Sequence, residues 1–182
     1  MVHVKKITAL LALALSISAS EAAAGSAWGT SADLVTSDGN GMLCQMETYW
    51  DDGRSLFIWV NGNRYFGFSL IDTQWSLPQG MSSHVTFSFG RGRENTFPIE
   101  SVSETHAIGS WDQSDAIDFL ERFTGMWEMN VVFPQGVTWR VDLTGSSTAT
   151  NEWVSCAEQL FDRASETPGA NPFGAGAGSN PF

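Results

Sequence analysis

After Lys6 the sequence contains no lysine, and the basic residues that remain, histidine aside, are seven arginines. Against them stand 20 Asp and Glu residues, for a formal net charge of −11. A chain so short of cations repels phosphate backbones and anionic headgroups. It argues against nucleic-acid binding, which draws its affinity from Lys and Arg contacts to phosphates.

Histidine is nearly as scarce. Beyond His3 there are only His84 and His106, with no H-x-x-x-H spacing and no cysteine cluster beside them, so no zinc site is indicated. The G-x-S-x-G elbow of serine hydrolases is missing, as are the glycine-rich phosphate loop and the dinucleotide fingerprint. No cofactor is expected. Asp51-Asp52-Gly53 and Asp38-Gly39-Asn40 resemble pieces of a calcium loop but lack its ligand spacing and closing Glu. Turn chemistry explains both. Nothing in the acids' spacing singles out a pair for glycoside hydrolysis, which needs two carboxyls facing across a cleft.

Long apolar runs are also absent. The longest, Ile7 to Ile17, follows Lys5-Lys6 and precedes Ala22-Ala23-Ala24. A basic start, a short apolar stretch and an A-x-A site predict a cleaved signal peptide over residues 1–24. The run falls short of the ~20 residues a spanning helix needs, so no transmembrane segment is expected after cleavage. Removing 24 of 182 residues leaves 158, enough for one domain with a real core. The mature chain keeps seven Arg and 19 acids, or −12. The expected location is periplasmic or secreted.

Cysteine occurs twice, at Cys44 and Cys156. An even count in an exported chain reads as a disulfide. Closing a loop of about 110 residues is worth roughly 4–5 kcal/mol in the chain-entropy model. Redox-active pairs sit close together as C-x-x-C, so this pair reads as a staple across the domain.

Strand patterns dominate what is there. "LCQMETYW", "RSLFIWV" and "RYFGFSLI" are separated by the turn signals "DDG" and "NGN" and predict a β-meander. Leu56, Ile58 and Val60 alternate with Phe57 and Trp59, which predicts a strand covered on both faces. "HVTFSFG" alternates with Val85, Phe87 and Phe89 inward. "TFPIESV" carries Pro98, which predicts an edge strand, and "ETHAIGSW" is a further short strand. "MWEMNVVF" and "VTWRVDL" follow, with Val137, Trp139, Val141 and Leu143 inward in the second.

Two helices come late. In "SWDQSDAIDFLERFTG", Asp112 or Ser114 caps the start, Ala116, Phe119, Leu120 and Phe123 form one stripe, and Gly125 stands where a C′ glycine belongs. The second runs from about Ser146 to Ala164, with Ala149, Trp153, Cys156 and Leu160 on one stripe. Ser146 and Ser147 read as its caps, not as nucleophiles. The fold class expected is mainly β or α+β: an antiparallel sheet or sandwich of about seven strands with two late helices. Residues 25–42 read as a flexible lead-in, 43–165 as one stapled domain, and 166–182 as a disordered Gly/Pro/Ala tail.

Seven tryptophans lie within or beside these elements: Trp50, Trp59, Trp75, Trp111, Trp127, Trp139 and Trp153. Trp50, Trp75 and Trp111 sit at strand ends or in connections. Exposed together they would form a stacking platform for sugars or peptides; buried, they plug the open ends of a small sheet. The tail carries Asn-Pro-Phe twice, ending at Phe173 and Phe182, and two copies raise local concentration at any receptor.

Four stretches carry a resemblance: "MLCQ" at Met42–Gln45, "WSLPQG" at Trp75–Gly80, "SDAIDFLERF" at Ser114–Phe123, and "VDLTGSSTATNEWVSC" at Val141–Cys156. Between Cys44 and Cys156 the chain resembles small exported alphaproteobacterial proteins of the invasion-associated locus B type. The resemblance implies a periplasmic or secreted β-rich domain and supplies no catalytic residues. The expected function is a non-catalytic binding module for an envelope or extracellular protein or glycan. The alternatives are a glycan or peptidoglycan hydrolase with a carboxylate pair beside Trp50, Trp75 or Trp111, and an effector acting through its Asn-Pro-Phe tail.

Overall fold

The computed structural model describes residues 28–35, 42–90 and 94–165. The expected leader at 1–24 and tail at 166–182, with Phe173 and Phe182, lie outside these residues. So does Asp38-Gly39-Asn40.

Among the described residues, nine strands form one antiparallel sheet. In chain order they are β1 (Gly29–Val35), β2 (Met42–Tyr49), β3 (Arg54–Asn61), β4 (Phe66–Asp72), β5 (Ser82–Ser88), β6 (Glu94–Ser103), β7 (His106–Trp111), β8 (Glu128–Val132) and β9 (Thr138–Asp142). Helix α1 (Gln113–Gly125) separates β7 from β8, and α2 (Ser146–Ser165) follows β9. The spatial order is β1-β2-β3-β4-β7-β6-β5-β8-β9.

β1 falls in the stretch read from composition as lead-in. Its small and polar residues carry no alternating pattern, yet Gly29 pairs with Glu47 and Ala32 with Cys44. Partner strand β2 recruits it. Trp28, just ahead of β1, donates its indole N–H to the Asp142 carbonyl at the end of β9, 2.9 Å away. The sheet therefore coils until its two edge strands approach each other.

Alternation sets the faces. Cys44, Met46, Leu56, Ile58, Val60, Phe68, Leu70, Val85, Phe87, Met129, Val131, Trp139 and Val141 point inward and are buried. The helices close the inside. Phe119 of α1 stacks on Trp111 at 4.5 Å and meets Phe87 at 5.2 Å, while Phe123 meets Trp28 at 4.6 Å. On α2, Trp153 donates to the Cys44 carbonyl at 2.9 Å, and Cys156 is joined to Cys44 with Cα atoms 5.9 Å apart. Phe57 and Trp59 are half-buried on the outer face.

Three local readings change. Pro98 lies in β6, an interior strand between β5 and β7. It is tolerated there because the β6–β7 ladder runs only from Ser103 to Ile99, so Pro98 stands just past its end. Gly125 closes α1 without a left-handed φ, and Met126 caps the helix in an extended conformation. The serines at the start of α2 serve the other helix: Ser146 Oγ donates to the Phe123 carbonyl at 3.0 Å and Ser147 Oγ to the Thr124 carbonyl at 3.1 Å. Helix α1 thus gets its C-terminal partners from α2. Its start is capped as expected, by Asp112, whose carboxylate accepts from the Asp115 N–H at 2.8 Å.

Candidate functional site

Of the tryptophans singled out from sequence, Trp50 and Trp111 are buried. Trp111 packs among Phe68, Phe87, Phe97 and Phe119. Trp50 lies 5.8 Å from Trp139, and Trp75 stacks on Trp139 at 5.3 Å. The Arg54 guanidinium covers this cluster, 5.3 Å from the Trp50 ring and 5.5 Å from Trp139. It also grips Asp52 through two nitrogens, at 2.9 and 2.7 Å. Trp50 and Trp75 therefore plug one end of the coiled sheet, and Trp111 packs under α1. They form no shared outward surface. The small hollow of about 170 Å³ beside Trp75 is lined by Leu77, Met81, Phe133, Pro134 and Val137 among others, with no carboxylate.

The histidines stay apart. His84 faces Pro98 on β6 and His106 faces Ser103. Five positions along β6 and the two strand spacings across it place them roughly 19 Å from each other.

Two outward tryptophans remain. Trp127 is 85 % exposed, the most exposed large apolar side chain among the described residues. Beside it a cleft of about 210 Å³ is lined by Glu128, Arg140, Asp142 and Thr144. Glu128 and Arg140 pair at 2.5 Å. Hydrogen bonds from Thr144 hold the Asp142 carboxyl below its usual range, which keeps it ionised and unsuited to general-acid work. Strand parity hid Trp127, because it shares the parity of Met129 and Val131 but stands one residue before β8 begins.

Trp59 lines the larger feature, a groove of about 300 Å³ on the outer face. Two neighbours set the ring. Opposite Trp59 on β4 stands Gly67, where an added Cβ would come within 2.4 Å of the indole Cζ2. The six-membered ring therefore reclines across β4 towards β7. Its N–H donates to Ser69 Oγ at 3.2 Å, which fixes the ring.

The groove opens where the β6–β7 ladder stops, at Ile99 and Gly109. Pro98 and Ser110 flank that fork, and Glu100 stands in register with Ser82 on one side and Ile108 on the other. Side-chain hydroxyls, one carboxylate and the Trp59 ring thus converge, with no cation among the lining residues. Trp59 was visible in sequence only as half of a two-faced apolar strand. The signal that would have marked it is the glycine paired with it.

The chain matches no known protein family, no curated protein and no solved structure.

Proposed function

We propose that the chain is an exported, non-catalytic binding module whose recognition surface is the outer-face groove at Trp59. The observation that carries this reading is the fixed Trp59 ring beside a polar-lined depression, a preformed site of the low-end size for small-ligand pockets, roughly 300 Å³. Export is supported by the apolar stretch after Lys6, by the Cys44–Cys156 bridge, which persists in oxidising compartments, and by the resemblance to small exported envelope proteins.

Crosslinked capture from native envelope tests the reading. The baits are the chain from Gly25 to Phe182, the same chain with Ser110→Tyr, the same with Trp127→Ala, and a version ending at Ser165. Ser110 is exposed at the groove, so a tyrosine there blocks it without entering the core. The expected result is a partner lost only with Ser110→Tyr. Loss with Trp127→Ala moves the surface to the β8–β9 cleft, and loss on truncation moves it to the tail. Either outcome overturns the groove.

A further inference from the structure

We infer that the Trp59 groove takes an uncharged glycan, a neutral hexose or N-acetylhexosamine unit seated on the indole. This rests on the groove being the recognition surface and assigns its ligand class.

Charge decides first. The groove is lined by Glu100 and by no Arg, in a chain of net charge −11, so uronic, sialic or phosphorylated sugars meet repulsion with nothing to pair them. Shape decides next. The ring is fixed from beneath by Gly67 and through its N–H by Ser69, so a flat apolar partner finds it already in place. Pyranose rings present such a face of C–H groups, with hydroxyls around the rim.

The polar groups match that rim. Ser82 and Ser110 both donate and accept, and Glu100 accepts. Ile108 and Pro98 supply apolar contact between them. A peptide strand is disfavoured by the backbone. β7 runs only two residues past Gly109, to Trp111, too short an edge to pair an added strand. The start of β6 is approached by α1, where Arg122 donates to Asn95.

The test uses the ¹⁵N-labelled chain from Gly25 to Phe182 and follows the Trp59 indole N–H, assigned by its loss in Trp59→Phe. The probes are chitotetraose and cellotetraose as neutral glycans, a hyaluronan tetrasaccharide as an anionic one, and tetralysine as a cationic peptide. The expected result is a saturable shift of the Trp59 signal with a neutral glycan, with a dissociation constant on the order of 1 mM or tighter for so open a site. Glu100→Gln weakens it about tenfold, the value of one charge-assisted hydrogen bond. Ser110→Tyr abolishes it while other amide signals stay in place, and Trp127→Ala leaves it unchanged. Glu100 is exposed, so the Glu100→Gln arm stands even if Ser110→Tyr fails to fold.

Preference for hyaluronan or for tetralysine overturns the assignment to uncharged glycan. Tetralysine acting through Trp59 would still leave the groove as the recognition surface. No shift with any probe also overturns the glycan. The capture experiment then decides separately whether the groove binds something else.

Discussion

Ser146 donates its hydroxyl to the Phe123 carbonyl across 3.0 Å, so the first residue of the second helix completes the last turn of the first. Both groups are buried. Replacing Ser146 by alanine strands a carbonyl away from water. We expect a loss of about 1–3 kcal/mol in urea unfolding. Ser147 makes the same kind of bond to Thr124 at an exposed site, and Ser147→Ala should cost clearly less. Equal effects would show that the caps are not distinguished by burial.

The two glycines that shape the sheet are sensitive for different reasons. A Cβ at Gly109 would come within 2.2 Å of the Phe68 ring inside the core. A Cβ at Gly67 would come within 2.4 Å of Trp59 and 2.6 Å of the Gly109 carbonyl. Each alanine should cost about 1–3 kcal/mol by overpacking. Gly67→Ala should in addition move the Trp59 indole signal, and Gly109→Ala should do so less. An unchanged Trp59 signal in Gly67→Ala would mean that the glycine does not seat the ring.

The staple is testable by mass and by melting. The intact protein should take up no alkylating label before reduction and two labels after it. Reduction should lower stability by about 2–5 kcal/mol. The bridge joins β2 to α2, so the loss should appear first as weaker hydrogen-exchange protection in α2.

Burial holds the His106 imidazole below its usual range. The unfolded chain takes up this proton near pH 6.5, and the folded chain takes it up only at lower pH. Between those two values the unfolded state binds more protons. Stability is therefore full above about pH 6.5 and falls as acid carries the protein through the window below it. His106→Gln should flatten this part of the profile. Asp142 and Asp112 are shifted downward by hydrogen bonds, and their contributions fade only in stronger acid. A profile between about pH 7.5 and pH 5 unchanged by His106→Gln would remove the histidine from the account.

Much of this architecture was legible because burial writes period-two patterns. Val85, Phe87 and Phe89, or Trp139, Val141 and Leu143, declare an inner face in one dimension. Val137 was expected to extend that row and does not. It is 56 % exposed, one residue outside β9 and in the turn. β1 was illegible for the opposite reason: its place comes from β2 and from Trp28, with no pattern of its own. Pro98 misled because proline forbids a hydrogen bond, and sequence does not say where a ladder ends. The site was the hardest part. Trp50, Trp75 and Trp111 stand at element ends, where exposure is a fair expectation, but a coiled sheet needs large plugs there. Trp59 sits mid-strand, and only its register with Gly67 brings it to a groove.

Trp127 offers a simple contrast. At 85 % exposure its removal should change stability by no more than about 0.5 kcal/mol. A larger loss on Trp127→Ala would show that the indole packs against something in solution.

The bond from Trp28 to Asp142 spans 114 positions, and the one from Trp153 to Cys44 spans 109. Hairpins such as β2–β3 and β3–β4 assemble from neighbours, but the seam between the first and last strands does not. Contacts of this range place a chain among the slow folders, on the order of milliseconds to seconds. We expect the seam to form on the far side of the folding barrier, so that its strength governs how long the protein stays shut. Trp28→Phe should accordingly speed unfolding and leave refolding at its former rate.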